Sequence, residues 1–296
     1  KPKTITEQRL IEAINISKQF VNNFLKSKDD IDKLYEIIAF KLNYLLHVQN
    51  DISSVYSTFE VLNSRGRAVD TLDKCKSILM GKVSELPNAV ENLVEINKYW
   101  EEIFSEIGII KINTDEIVRM AATILDQAYT RDIVSSDNSL KFFKETEADF
   151  DLIKEWHNTL VNITKKLSEL AKDTKLKAIL KIIQVKFLFI AIHLRNLKDS
   201  DGKIILKELE NVCFRTYGLE GLDSRYEKGN YIELAQKIIE KTSHSNQLTP
   251  AQIKSEVKKL GKKYDIKSVV NKIHEKDLYD STNWHEELRY FFYRYE

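Results

Sequence analysis

Three polar side chains at short spacing carry the strongest chemical signal in this chain. They are Asn63, Arg65 and Lys76, within YSTFEVLNSRGRAVDTLDKCKS, residues 56–77. A guanidinium offers a planar fork of donors and an ammonium a mobile point charge, and both suit an anionic ligand such as phosphate. Gly66 permits the positive φ that ends a helix, and Asn63 tolerates helix-end geometry, so the run predicts a turn between two helices. Asp70 is expected to cap the second helix, with Asp73 three residues on in a loose capping-box arrangement. Lys76 lies three residues beyond Asp73, on nearly the same face. Turn chemistry accounts for Gly66, Asp70 and the apolar Phe59 and Leu62. It does not call for two cations beside an amide.

Other chemistries find less support. Eight scattered glycines supply no phosphate-binding loop, and no nucleophile elbow is present. WHEELR, residues 284–289, opens like a zinc-protease helix, but Arg289 stands where a second His is needed. His47, His157, His193, His244 and His274 are dispersed, no metal-ligand spacing joins any two, and ordinary core or surface roles are expected. No metal site or catalytic residue is therefore assigned to this chain, and no cofactor. Trp100 and Trp156 recur within apolar helical patterns and read as core. Two basic stretches remain: Lys172, Lys175, Lys177 and Lys181, and KKLGKK with Lys258, Lys259, Lys262 and Lys263. Either can neutralise phosphates of DNA or RNA without reading sequence, the plainer reading being a solvated helix face.

The elements that must position these residues read as helices. With 296 residues, 43% hydrophobic and 31% charged, the chain suits a globular protein with a sizeable core. Only 8 Gly and 3 Pro among abundant Leu, Ile, Lys and Glu point to long helices with short connections. Capping pairs are expected at Thr4/Glu7 and Thr249/Gln252, and Asp29 or Asp30 is expected to cap a second helix. Helical patterns run over about 52–62, 71–86, 88–107, 113–129, 149–172, 175–197, 203–217, 230–241, 250–263 and 283–295. Loops are expected around 131–139, 198–202, 218–229 and 242–249. Together these patterns predict an all-α, multi-helix bundle with at most a short strand near 43–49. A weak boundary near Arg131–Ser139 divides it into 1–130 and 131–296.

Charge and cysteines bound the setting. With 46 basic and 45 acidic side chains the net charge is +1, so any nucleic-acid contact must come from a local patch. Cys75 and Cys213 stand alone, which suits a reducing, cytoplasmic environment. The apolar run Ala178–Leu194 is interrupted by Lys181, Gln184 and Lys186, which argues for a buried core helix and against a membrane span. The chain starts at Lys1 with no signal-peptide pattern and reads as a piece of a longer protein.

The run FEVLNSRGRAVDTLDKCKS resembles the FExLNxRGxxLxxxDxxK signature of the GmrSD-type restriction endonuclease family, which includes modification-dependent restriction enzymes and anti-phage defence proteins. Phe59, Glu60, Leu62, Asn63, Arg65, Gly66, Asp73 and Lys76 match directly. Val69 replaces Leu, Asp70 stands where Ser or Thr is usual, and Ser77 stands where Asn is frequent. INKYWEEIF (96–104), LENVCFRTYGLEG (209–221, with Arg215 in the Arg position) and LRYFFYRYE (288–296) resemble later family helices in the same order. The resemblance implies a helical middle region. Its partners would be a ParB-like N-terminal domain carrying Asp-Gly-Gln-Gln-Arg and a C-terminal His-Asn-His nuclease domain of the same protein. It also implies that Asn63, Arg65, Gly66 and Lys76 serve a nucleotide or DNA phosphate site, with NTP and Mg acting in the complete protein. The alternative is a helical scaffold for a protein partner or for dimerisation, with a purely structural Asn-Ser-Arg-Gly turn and the aromatic residues Tyr290 to Tyr295 as a docking surface.

Overall fold

Side-chain caps set most helix starts. The computed structural model describes residues 5–43, 69–126, 131–173, 180–240 and 247–263 apart from 109 and 111, together with Thr58, Leu176, Lys267, Val270, Asn271, His274 and Tyr290. The first helices are α1 (Ile5–Phe24) and α2 (Lys28–Glu36, continued by a π-helical turn Ile37–Lys41). Then come α3 (Thr71–Ser84), α4 (Ala89–Ile107), α5 (Thr114–Leu125), α6 (Ser136–Glu145) and α7 (Phe150–Lys172). Next come α8 (Ile183–Leu194), α9 (Asp199–Cys213, continued by a π-helical turn Phe214–Leu219), α10 (Lys228–Ile239) and α11 (Pro250–Leu260). The fold is an all-α, multi-helix bundle, and no strand occurs among the described residues. The segment 43–49 lies outside them except for Asn43, which is irregular.

Several starts differ from expectation for local reasons. Ser27, not Asp29 or Asp30, caps α2: its hydroxyl accepts from the Asp30 amide while the Asp30 carboxylate accepts from the Ser27 and Lys26 amides, at 3.0 and 3.1 Å. That is a full capping box, and it outcompetes a lone aspartate. The expected box at Thr249 and Gln252 forms, with Pro250 in the first turn. Its counterpart at Thr4 lies outside the described residues. Helix α6 falls where the sequence read as loop, because Ser135 caps it by accepting from the Asn138 amide, while Ser139 and Phe143 are buried. A Ser/Asp/Asn-rich opening looks like a loop until its apolar side is counted.

Packing then groups the helices. α3 lies against α4, α5 and α6; α4 lies against α7; α5 lies against α6 and α7. Further along, α8 pairs with α9 and α10, and α11 packs on both α9 and α10. Helices α7 and α8 also touch, and one buried core runs through both groups from Leu72 to Tyr290. Helix α6, which starts within residues 131–139, and α7 pack on the core that α3 to α5 begin. Trp100 and Trp156 are fully buried there, the latter edge-on to Phe143 at 5.4 Å.

Helix α8 is the apolar run that invited a membrane check. Gln184 and Val185 are buried, as is every residue from Phe187 to Ile192. Gln184 donates to the Ser224 carbonyl, and Lys186 reaches Glu116 of α5 at 2.8 Å. The two polar interruptions within α8 are thus satisfied inside protein. Among the described residues no helix is long and apolar enough to cross a membrane. By contrast α1, whose Leu10, Ile14 and Val21 are expected to form one apolar face, leaves Leu10, Ile11, Ile14, Ile16 and Phe20 exposed.

Candidate functional site

Phe59, Glu60, Asn63, Arg65 and Gly66 lie outside the described residues, and the candidate site begins at Val69 and Asp70. Asp70 is the N-cap of α3. One carboxylate oxygen accepts from the Leu72 amide at 2.9 Å, and the other accepts from the Thr114 hydroxyl at 2.6 Å. Thr114 is the first residue of α5, itself capped by Asn113, whose side chain accepts from the Asp115 amide at 3.2 Å. A return bond completes the joint: the Thr71 hydroxyl donates to Asp115 at 3.0 Å. Each helix start thus lends a hydroxyl to the other's carboxylate. The expected Asp70–Asp73 capping box does not form, because Asp70 is already committed to Leu72 and Thr114.

This clamp sets two positive helix ends side by side, each worth roughly half a charge. Acidic residues in the first turns (Asp73 on α3, Asp115 and Glu116 on α5) complement them. The acids are steadied in turn. Arg119 stands 3.5 Å from Asp115 while its Nε donates to the Val134 carbonyl, and Lys186 holds Glu116. Desolvation pushes the Asp73 carboxyl up, neighbouring Asp70 adds to this, and Lys76 opposes it. Chemically the joint offers amide donors at two helix starts, already half-neutralised by its own carboxylates. An incoming anion therefore depends on extra cations.

Lys76 sits one turn into α3 but does not stand free. Its ammonium lies 5.2 Å from the Phe104 ring centre and 5.9 Å from that of Trp100, both on α4. Cation–π contact holds its charge against the aromatic face of the core. No catalytic nucleophile emerges from the cysteines, since burial pushes the thiols of Cys75 and Cys213 far up. Among the described residues no cluster of His, Cys, Asp and Glu is arranged to hold a metal.

The second expected patch, KKLGKK, forms the C-terminal end of α11 and the turn that follows. Lys259 joins Glu256 at 2.5 Å, lining a 340 Å³ cleft toward α10. Lys258, Lys262 and Lys263 are exposed. Gly261 brings this turn against the π-helical end of α9: a Cβ there would stand 3.1 Å from both Cγ atoms of Val212 and 3.4 Å from the Arg215 guanidinium. The structure therefore joins Arg215 to the lysine turn, a juxtaposition for which spacing in the sequence held no signal. The C-terminal aromatic stretch is described only at Tyr290. That residue is buried, packs on Phe214 at 4.9 Å and donates to Glu210 at 2.6 Å.

Sequence reasoning found the cap Asp70 but missed Thr71, Thr114 and Asp115 as a pair of clamps. The only available signal was the mirrored order of Asp70-Thr71 and Thr114-Asp115, each at a helix start. Comparison with known proteins finds no matching family model, no matching curated protein and no matching solved structure, so the likeness of residues 59–77 to the GmrSD-type signature rests on those residues alone.

Proposed function

We propose that this chain is the helical portion of a GmrSD-like defence protein. In this reading it supplies Asn63 and Arg65, with Gly66 as the turn between them and α3, to a site for a nucleotide or DNA phosphate. The observation that carries the reading is the run from Phe59 to Lys76, which leads into a capped helix start clamped to a second helix start. Arg65 precedes the cap by only five residues. The joint between the positive ends of α3 and α5 is half-neutralised by its own carboxylates and needs a further cation to hold an anion, the part proposed for Arg65. Lys76 contributes less than Arg65, because its ammonium already rests on Phe104 and Trp100. Hydrolysis or cleavage belongs to the complete protein, with NTP and Mg bound jointly with a ParB-like domain and DNA cut by a nuclease domain.

The test is Arg65→Ala and Asn63→Ala in the complete protein, with nucleotide and duplex-DNA binding measured beside thermal unfolding. The reading requires a binding loss of at least about tenfold, roughly 1.4 kcal/mol, with an unchanged melting temperature. Unchanged binding with a large drop in melting temperature favours the second reading, a helical scaffold. The specific observation on that side is the exposed apolar surface of α1 and α2, including Ile14, Phe20, Tyr35 and Phe40.

A further inference from the structure

We infer that α11 and the π-helical end of α9 together form a contact surface for the phosphate backbone of nucleic acid, made by Lys254, Lys258, Lys262 and Arg215. The inference stands on these two elements and is independent of residues 59–76. Helix α11 buries Ile253, Val257 and Leu260. Lys254 and Lys258 each follow a buried residue by one position, so they share a solvent-facing line one turn apart, about 6 Å along the axis. Lys262 continues this series beyond the helix end, next to Gly261, which lies against the guanidinium of Arg215; that guanidinium also donates through Nε to the Asn211 carbonyl. Lys254, Lys258 and Lys262 are exposed and form no ion pair among the described residues.

Ordinary helix chemistry does not account for this line. A cation in the last turn complements the helix dipole, which covers Lys258. It does not cover Lys254, in the first half of a helix whose first turn holds no acid. Like charges four residues apart repel, and the one acid on this stretch of α11, Glu256, is taken by Lys259 on another side. A row of unpaired ammonium groups ending in a guanidinium fork suits a repeating array of phosphates, which lysine neutralises without reading bases. A lipid surface fits poorly, because the large apolar residues of α11, Ile253, Val257 and Leu260, are buried and leave nothing large to insert.

The test measures fluorescence anisotropy of labelled single-stranded and duplex oligonucleotides with the full 296-residue chain, at about 50 to 200 mM salt. Four phosphate contacts give a slope of log K against log salt near −3.6 on duplex, a loss of about 150-fold over that range. Replacing Lys254, Lys258 and Lys262 together by Gln should bring the slope near −0.9, about a 4-fold loss, whereas Lys259→Gln should leave it unchanged. Should the triple variant fail to fold, each single Gln variant must lower the slope by about 0.9. A wild-type chain that binds neither oligonucleotide, or variants that keep the full slope, overturns the inference. So does tight binding to polyglutamate or to phosphatidylserine vesicles without oligonucleotide binding, which would assign the row to an acidic protein or a membrane. Arg65→Ala leaves the difference of about 2.7 in slope between the wild type and the triple variant unaltered, whatever it does to nucleotide or DNA binding, which separates the two tests.

Discussion

His157 makes the bundle acid-sensitive in a defined window. Its Nδ1 donates to the Ile153 carbonyl at 2.8 Å, so Nε2 carries the lone pair, and that atom is buried without a hydrogen bond. The ring packs edge-on to Trp100 at 5.2 Å and against Tyr99 at 5.7 Å. Charging the imidazole here means burying a cation in the core, away from water that would solvate it. Desolvation accordingly lowers the His157 pKa from 6.5 to about 4, against a smaller opposing pull from the Ile153 carbonyl; no carboxylate contributes.

The sign follows from linkage. The folded state prefers the neutral ring, so the unfolded chain takes up the proton first as pH falls below 6.5. Stability due to this group is complete above about pH 6.5, falls through the window, and levels off below about 4. The full loss is about 3 kcal/mol, of which about 2 kcal/mol is already gone at pH 5. Urea unfolding at pH 7.5 and at pH 5 checks this, with His157→Phe as the comparison because a phenyl ring keeps the packing and cannot titrate. The wild type should lose about 2 kcal/mol more than the variant between the two pH values. Parallel losses would refute the reasoning, and a ring nitrogen titrating near 6.5 by NMR would locate the error in the burial of His157.

The remaining predictions concern the joint and the basic turn. Asp70→Ala should cost about 2 kcal/mol, a cap and a hydrogen bond together, while Thr114→Ala should cost about 1 kcal/mol. In urea unfolding the double variant should fall short of additivity by about 1 kcal/mol, and strict additivity would mean that the clamp contributes nothing to stability. Gly261→Ala should destabilise by about 1–3 kcal/mol, because the new Cβ pushes both methyls of buried Val212 back by a few tenths of an ångström within a packed core. Adding Val212→Ala should recover part of that loss, and no recovery would place the strain elsewhere.

How much of this was legible beforehand depended on range. Periodicity located α5, α7 and α11 because each has a side-chain cap and one apolar stripe, and α4, which has no cap bond at Asn88, by its stripe alone. Thr249-Pro250-Ala251-Gln252 was readable to the residue, since a capping box is chemistry between near neighbours. α6 was missed because its apolar side, Leu140 and Phe143, is short and follows a run of Ser, Asp and Asn. The π-helical turn at Phe214–Leu219 left no pattern in the sequence, although it is what places Arg215 beside Gly261. Thr71 with Asp115 and Thr114 with Asp70 lie 44 residues apart, and no local rule pairs them. Local chemistry was legible and its assembly was not.

The same distinction decides what the cations mean. A chain with 46 basic and 45 acidic side chains says nothing through its total, and counting lysines in a short run ranks KKLGKK by density alone. Structure sorts them by what already neutralises each. Lys186 is held by Glu116, Lys259 by Glu256, Arg119 by Asp115 and a carbonyl, and Lys76 by two aromatic rings. These charges serve packing, and removing one would unbalance a local partner before it touched any ligand. Lys254, Lys258 and Lys262 have no such partner among the described residues, although Lys254 never belonged to the run that density selected. Charge left over after the fold has met its own needs is what remains for binding. On α11 that leftover charge lies in a line.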